Sequence, residues 1–286
     1  MTTDTITLAY SVDSDDLFMF YALLENKIPT EGLVFEHRRF DTEKLNELAA
    51  TQQVDITAVS IHAYADLTDD YLLLPHGGSI GVKYGPLVLA NQPGGIEDLR
   101  GKKISIPGTK TTAYLVFKLA CPVFEPVIIP ITPFERTFNA LKNGEVDAAV
   151  VIHEGNLTYK ERGFAKILDL GAWWWEETGC PLPLGGNVIR RGLGAEKIAK
   201  VSALLRKSIQ YALEHREEVM DYLLARETRS DRLLHDRGLL DHYLSLYANR
   251  DTLEYPEEAR KGMEILFQRG YDAGIISRPV TIEFAP

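Results

Sequence analysis

His153 is the residue in this chain best suited to moving a proton. It follows the apolar run Val146-Asp147-Ala148-Ala149-Val150-Val151-Ile152 and precedes Glu154-Gly155. An imidazole changes charge near neutrality, so one delivered to the end of a strand suits a general acid or base. The same placement also suits a hydrogen-bonded structural histidine, and the pattern alone leaves both readings open. If the strand stays extended, Glu154 faces the opposite side from His153 and need not be its partner. A second candidate is Gly108-Thr109-Lys110-Thr111-Thr112-Ala113. A Gly turn and two hydroxyls at a helix start present unpaired backbone N–H groups and the positive end of the helix dipole. Such a start can hold a carboxylate or phosphate, or Thr111 can serve as an N-cap and nothing more. A third is the acidic turn Ser11-Val12-Asp13-Ser14-Asp15-Asp16. Asp and Ser there are ordinary capping residues, yet Ser11, Asp15 and Asp16 also stand at a strand's carboxyl end, where ligands bind in open α/β sheets.

Other chemistries lack their residues. The GxxxxGK[ST] phosphate loop, the HExxH and CxxC metal spacings and the GxSxG nucleophile elbow are all missing. No metal site is expected. His62 follows Ser60-Ile61 with less context than His153, and His37, His76, His215, His235 and His242 are scattered. Cys121 and Cys180 are too few for a disulfide framework and read as buried thiols. Of Trp173-Trp174-Trp175, one or two rings should pack in the core and one is left to stack on a flat ligand.

The elements that must position these residues can be read from periodicity. Ile6–Tyr10, Leu33–Phe40 and Val54–Ser60 read as strands, with helices at Leu17–Leu24 and Thr42–Ala50 between them. Strand, helix, strand, helix, strand within 60 residues predicts a parallel sheet. The plan then repeats: strands at Ile104–Pro107, Val127–Ile131 and Val146–Ile152, helices at Ala113–Ala120 and Phe134–Leu141. Leu45-Asn-Glu-Leu before Val54-Asp55 and Phe138-Asn-Ala-Leu before Val146-Asp147 share one plan, which marks two similar α/β domains. Pro181-Leu182-Pro183-Leu184-Gly185-Gly186 is not expected as central strand. From Glu196 the chain reads as helices at 198–213, 216–224, 231–247 and 256–274, and Val280–Phe284 as an edge-packing tail. The predicted organisation is a first lobe of residues 1–88 and 188–286, carrying the C-terminal helices, and an inserted second lobe of 89–187. The crossings fall near 85–92 and 182–190. Gly185 and Gly186, at the return crossing, are expected to line a cleft between the lobes.

The 286 residues are 45% hydrophobic and 25% charged, enough for a substantial core, and the formal charge of −10 argues against nucleic acid or an anionic membrane as partner. No apolar run approaches the roughly 20 residues of a bilayer span, and the opening Met1-Thr-Thr-Asp-Thr has no leader pattern. A cytoplasmic protein with a small-molecule partner is expected.

Three segments together resemble the 1,4-dihydroxy-6-naphthoate synthase family of the futalosine route to menaquinone. They are Thr111-Thr112-Ala113-Tyr114, Val151-Ile152-His153-Glu154-Gly155 with Thr158-Tyr159, and Asp169 through the Trp triplet to Pro181-Leu-Pro-Leu-Gly185. The resemblance implies an α/β, two-lobed periplasmic-binding-protein-like (type 2) fold with a central ligand cleft and a helical C-terminal region. It implies a cofactor-free carbon–carbon lyase that cleaves cyclic dehypoxanthinylfutalosine, a carboxylated substrate. His153 matches the family's proton acceptor, Thr111 and Thr112 its substrate-binding pair, and Ser60, with Val59 and Ala58, the end of its third strand. Two segments depart from it. The family's first turn usually reads Ser-Pro-Cys-Pro-Asn-Asp-Thr-Phe where this chain has Ser11-Val-Asp-Ser-Asp-Asp-Leu-Phe18, and its third strand usually carries Thr-Lys where this chain has Thr57-Ala58. A more acidic turn and a missing cation fit a differently charged ligand. The alternative is therefore a non-catalytic solute-binding protein for a small carboxylated metabolite.

Overall fold

In the computed structural model, which describes residues 4–229 and 231–286, the chain divides into two compact units. The first comprises the chain up to Ile80 with Gly185–Pro256 and Thr281–Pro286; the second comprises Gly81–Leu184 and Glu257–Val280.

The first unit opens with β1 (Asp4–Ser11), α1 (Ser14–Leu24), β2 (Leu33–Phe40), α2 (Thr42–Ala50), β3 (Ile56–Ser60) and the short α3 (Ile61–Tyr64), followed by β4 (Tyr71–Leu73) and β5 (Ser79–Gly81). The second contains β6 (Leu87–Ala90), β7 (Lys103–Ile106), α4 (Thr112–Ala120), β8 (Glu125–Ile128), α5 (Phe134–Lys142), β9 (Ala148–Val151), α6 (Gly155–Thr158), β10 (Ala165–Asp169) and α7 (Leu170–Thr178). The chain returns through β11 (Leu182–Arg190) to α8 (Ala195–Glu214), α9 (Arg216–Ala225), α10 (Arg237–Tyr247) and α11 (Glu257–Asp272).

The first unit's sheet has the order β2-β1-β3-β11-β4, with β5 also paired to β11; β1 is parallel to β2 and β3, as the alternation of elements predicts. Its core is apolar, with Ile6, Leu8, Phe18, Tyr64, Tyr71 and Tyr243 among the fully buried side chains. At the amino end of β3, Asp55 ties three strands together. Its carboxylate accepts from the Thr7 N–H at 2.9 Å, the Thr7 hydroxyl at 2.8 Å and Arg190 Nε at 3.0 Å. The C-terminal tail packs against the edge strand: Phe284 bridges Leu73, with backbone bonds from Leu73 to Glu283 and from Ala285 to Leu73.

The second unit's sheet has the order β10-β6-β9-β7-β8. Strands β7, β8 and β9 are mutually parallel, whereas β6 runs antiparallel to both β9 and β10.

Three expectations are corrected. The stretch 181–186 does enter a sheet: β11 lies between β3 and β4, with Gly185 opposite Ser60 and Gly186 opposite Val59. Pro183 precedes the first residue paired with β3, so its missing N–H is not required by that ladder. The glycines are demanded by their neighbours. A Cβ on Gly186 would stand 2.5 Å from Tyr255 Oη and 3.0 Å from Leu73. The helix expected over 231–247 is broken at Asp236, which caps α10 by accepting from Leu239 N–H at 2.7 Å. Finally, α11 belongs to the second unit, not the first. Gly262 sits against the Pro181 carbonyl and Gly270 against Leu115 and Ile276, all within that unit.

Candidate functional site

Strands β7 and β9 are parallel neighbours, pairing Ile104 with Ala148 and Ser105 with Ala149, so their carboxyl ends lie side by side. From β7 the chain passes through Gly108 into α4; from β9 it passes through Ile152 to His153. Antiparallel β6 starts at this edge, with Leu87 opposite Val151, and β10 finishes there, with Asp169 opposite Leu87. One sheet edge thus collects Thr111, Thr112, His153, the residues before β6 and the start of α7. The three candidates of this unit, Thr111, Thr112 and His153, are all brought to it.

At the start of α4 the hydroxyls are already engaged. Thr111 is the N-cap: its Oγ1 accepts from Tyr114 N–H at 3.2 Å and donates to the Gly108 carbonyl at 2.8 Å. Thr112 Oγ1 donates to the Leu184 carbonyl at 2.7 Å. Both residues are buried. The two threonines therefore shape the helix start, and an anion there would be met chiefly by main-chain N–H groups and the helix dipole.

His153 is not on a strand. Strand β9 ends at Val151, and His153 has a φ of 56°, the left-handed region that a side chain rarely adopts. This reversal turns the chain into the single turn α6. Asn156 N–H donates to the His153 carbonyl at 3.0 Å, and Leu157 N–H to the Glu154 carbonyl at 3.0 Å. Glu154 consequently does not face away from His153 across a strand; it is helical and buried. Such strained conformers persist where surrounding structure over-determines them, and functional sites are where they concentrate. His153 keeps a half-buried side chain, compatible with access to a small molecule.

The Trp triplet starts from the same edge. Asp169 caps α7, accepting from Gly171 and Ala172 N–H at 3.0 and 3.1 Å. Burial pushes its carboxyl pKa up, against these backbone donors. Trp174 is the fully buried ring, donating from Nε1 to the Pro181 carbonyl at 3.2 Å. Trp173 and Trp175 are half-buried, and Lys83 lies 4.9 Å over the Trp175 ring. Cys121 and Cys180 are reduced and buried.

The first unit gathers its own set at the carboxyl ends of β1 and β3. Ser60 N–H donates to Asn46 Oδ1 at 3.0 Å, and Asn46 Nδ2 donates back to Ser60 Oγ at 3.4 Å. Val59 is buried, and Ala58 packs against the cluster of Ala9, Leu45 and Leu48. The Ala58 methyl thus serves the core. Gly185 and Gly186 reach the same place through the β11 register.

The acidic turn is folded inward. Asp16 Oδ2 accepts from Ser11 N–H at 2.6 Å, and Asp15 Oδ1 accepts from the Tyr243 hydroxyl at 3.0 Å. Asp13, fully buried, accepts from the Ser11 hydroxyl and faces Arg229 at 3.4 Å. Arg39 donates to the Val12 carbonyl. Burial, reinforced by nearby Asp13, pushes the Asp16 pKa up to about 7. Ser11, Asp15 and Asp16 are each buried, so they present little surface to a ligand. The partners Arg229 and Tyr243 were not anticipated, since they lie more than 200 residues along the chain from the turn. Among the described residues no cluster of His, Cys, Asp or Glu is arranged to hold a metal ion, and no helix is long and apolar enough to cross a membrane.

Two α/β units, each offering polar groups at the carboxyl edge of its sheet, define a protein of periplasmic-binding-protein-like fold. A Candida albicans protein described as exhibiting the generic periplasmic binding protein fold matches with a TM-score of 0.64 at 12% identity, over 99% of this chain and 98% of its own. Within that class, a family model described as menaquinone biosynthesis matches residues 6–272, and the chain belongs to that family. It is 35% identical to the 1,4-dihydroxy-6-naphthoate synthase of Thermus thermophilus, over 95% of this chain and 96% of that one. A crystal structure of an Archaeoglobus fulgidus protein superposes with a TM-score of 0.85 at 37% identity, covering 96% of this chain and 100% of the other.

Proposed function

We propose that this protein is a carbon–carbon lyase of menaquinone biosynthesis that cleaves cyclic dehypoxanthinylfutalosine to 1,4-dihydroxy-6-naphthoate. The observation that carries the reading is local: within a chain of this family, His153 stands beside the start of α4 at neighbouring strand ends. In the proposed step His153 accepts a substrate hydroxyl proton. The oxygen's electron pair forms a carbonyl on the sugar-derived fragment as the adjacent C–C bond breaks, the electrons of that bond pass to the ring system that becomes the naphthoate, and the carbonyl-bearing fragment leaves as the second product. The start of α4, shaped by Thr111 and Thr112, holds the substrate carboxylate through N–H groups and dipole. The step moves protons and electron pairs within one substrate and calls for no redox partner. Ser60, with the backbone of Val59 and Ala58, is assigned to substrate binding by its match to the family pattern. Replacing Ser60 by Ala tests that assignment through a raised KM at unchanged kcat.

A second reading, a non-catalytic binding protein for a small carboxylated metabolite, rests on Ala58 standing where the family pattern carries a lysine; the acids of the first turn are bonded inward and do not bear on it. The two readings separate in one assay. Purified protein is incubated with cyclic dehypoxanthinylfutalosine and the mixture is followed by mass spectrometry. The lyase reading requires the naphthoate to form, whereas a binding protein raises its own melting temperature with ligand and forms no product.

A further inference from the structure

A chain of contacts within the second unit runs from Asp169 to the His153 turn. The Asp169 carboxylate accepts from Gly171 and Ala172 N–H, and the nearby Gly85 N–H works to lower its pKa. The Gly85 carbonyl accepts from Asn156 Nδ2 at 3.1 Å. The Asn156 main-chain N–H donates to the His153 carbonyl at 3.0 Å. The segment in the middle cannot drift. A Cβ on Gly85 would stand 2.8 Å from the Gly171 nitrogen, and one on Gly171 would stand 1.9 Å from the Tyr84 carbonyl oxygen, so backbone packs directly on backbone. The Pro86 carbonyl also accepts from Leu170 N–H at 2.9 Å.

Asn156 is the link between this anchor and the strained residue. It is 8% exposed, and its Oδ1 is buried without a hydrogen-bond partner. Its amide orientation is set by the Gly85 bond, because the reverse orientation would place two oxygens together. A buried amide with an unsatisfied oxygen is costly, and an apolar side chain of similar size would fill the same space without that cost. The structure keeps the amide at the residue whose N–H closes the turn on His153, a turn in which His153 has positive φ.

We propose that Asn156 is a positioning residue for His153, holding the left-handed turn by tying it to the fixed Gly85 carbonyl. This rests on the reading of His153 as the base. Losing the side-chain bond lets the turn relax toward ordinary φ, and the imidazole moves away from its productive place. Misplacement of a reacting group by about 1 Å can cost on the order of 100-fold in rate.

The test uses the whole chain with Asn156→Ala, Asn156→Asp and Asp169→Asn, assayed for cleavage of cyclic dehypoxanthinylfutalosine across pH. Folding is checked by circular dichroism and melting temperature. Asn156→Asp is isosteric but loses the donor to Gly85, and Asp169→Asn weakens the far end of the chain while keeping the α7 cap. Asn156→Ala and Asn156→Asp should each lower kcat about 10- to 100-fold, leave KM within about threefold and shift the acidic limb of the kcat/KM profile. Asp169→Asn should act in the same direction and more weakly. Folded variants with wild-type kcat and pH profile would overturn the proposal, as would a KM increase that accounts for the whole loss. If Asn156→Ala does not fold, the other two variants decide the matter by the same criteria. His153→Gln is run in parallel. Full activity there defeats the role of His153 itself, while an inactive His153→Gln beside fully active Asn156 variants defeats only the positioning role.

Discussion

At the scale of single residues the chemistry depends on His153. It leaves β9 in a left-handed turn with its side chain half-buried, beside a helix start suited to a carboxylate. His153→Gln should lower kcat at least about 100-fold with little change in KM, the signature of a group that acts in the transition state. Steady-state kinetics on folded protein checks this. Two buried carboxylates in the first unit respond to pH in opposite ways. The Asp16 pKa is raised by burial to about 7. A raised folded-state pKa means its contribution to stability is greatest below the unfolded value, near 4, and is lost as pH rises toward 7. Asp55 behaves in reverse. Although burial works against it, donors from Thr7 and Arg190 bring its carboxyl below the usual range. Its contribution is present above about 4 and is lost as pH falls through its folded value. Asp16→Asn should therefore flatten the decline in melting temperature between about pH 4 and 7. An unchanged slope would show that this carboxyl is not carrying the burial cost assigned to it.

At the scale of elements, the periodic segments were legible and the exceptions have physical causes. Strand and helix alternation through β1–β3 and β7–β9 follows from apolar runs between polar turns, and the structure reproduces it. Strand β11 was hidden by its own composition. Rules that discourage Pro and Gly in strands describe a lone segment, whereas Gly186 is fitted to Tyr255, Leu73 and Ile61, atoms no local pattern reveals. The His153 turn was hidden for a related reason. An apolar run ending in His-Glu reads as continuous strand, and the side-chain bond that ties down the reversal is accepted by Gly85, 71 residues from Asn156. These contacts order two substitutions. Gly186→Ala meets the tip of a tyrosine and a leucine, which can shift, and should cost about 1–3 kcal/mol. Gly171→Ala meets a carbonyl at 1.9 Å, which cannot shift without moving the segment before β6. Denaturant unfolding should show Gly171→Ala as the more destabilised of the two, and equal losses would contradict the backbone-on-backbone packing described for that segment.

At the scale of the whole molecule, two similar α/β units were readable from the repeated plan, but the ownership of the last helix was not. Helix α11 follows three helices of the first unit in the chain, and what draws it to the second is the packing of Gly262 and Gly270. A glycine against a carbonyl leaves no trace in an amphipathic pattern. The acidic first turn misled for a different reason. Its net charge suggested a ligand of altered sign, yet Asp13, Asp15 and Asp16 are bonded inward to Arg229, Tyr243 and the Ser11 backbone. The first turn's departure from the family pattern is thus absorbed by internal partners and does not argue against the family substrate. The most direct test of that claim is incubation of purified protein with cyclic dehypoxanthinylfutalosine, read by mass spectrometry, beside His153→Gln. The expected result is 1,4-dihydroxy-6-naphthoate from the native protein and a loss of at least about 100-fold in its rate of formation from the variant. Unconverted substrate, together with a melting temperature that rises with its concentration, would contradict the lyase and identify a protein that only binds.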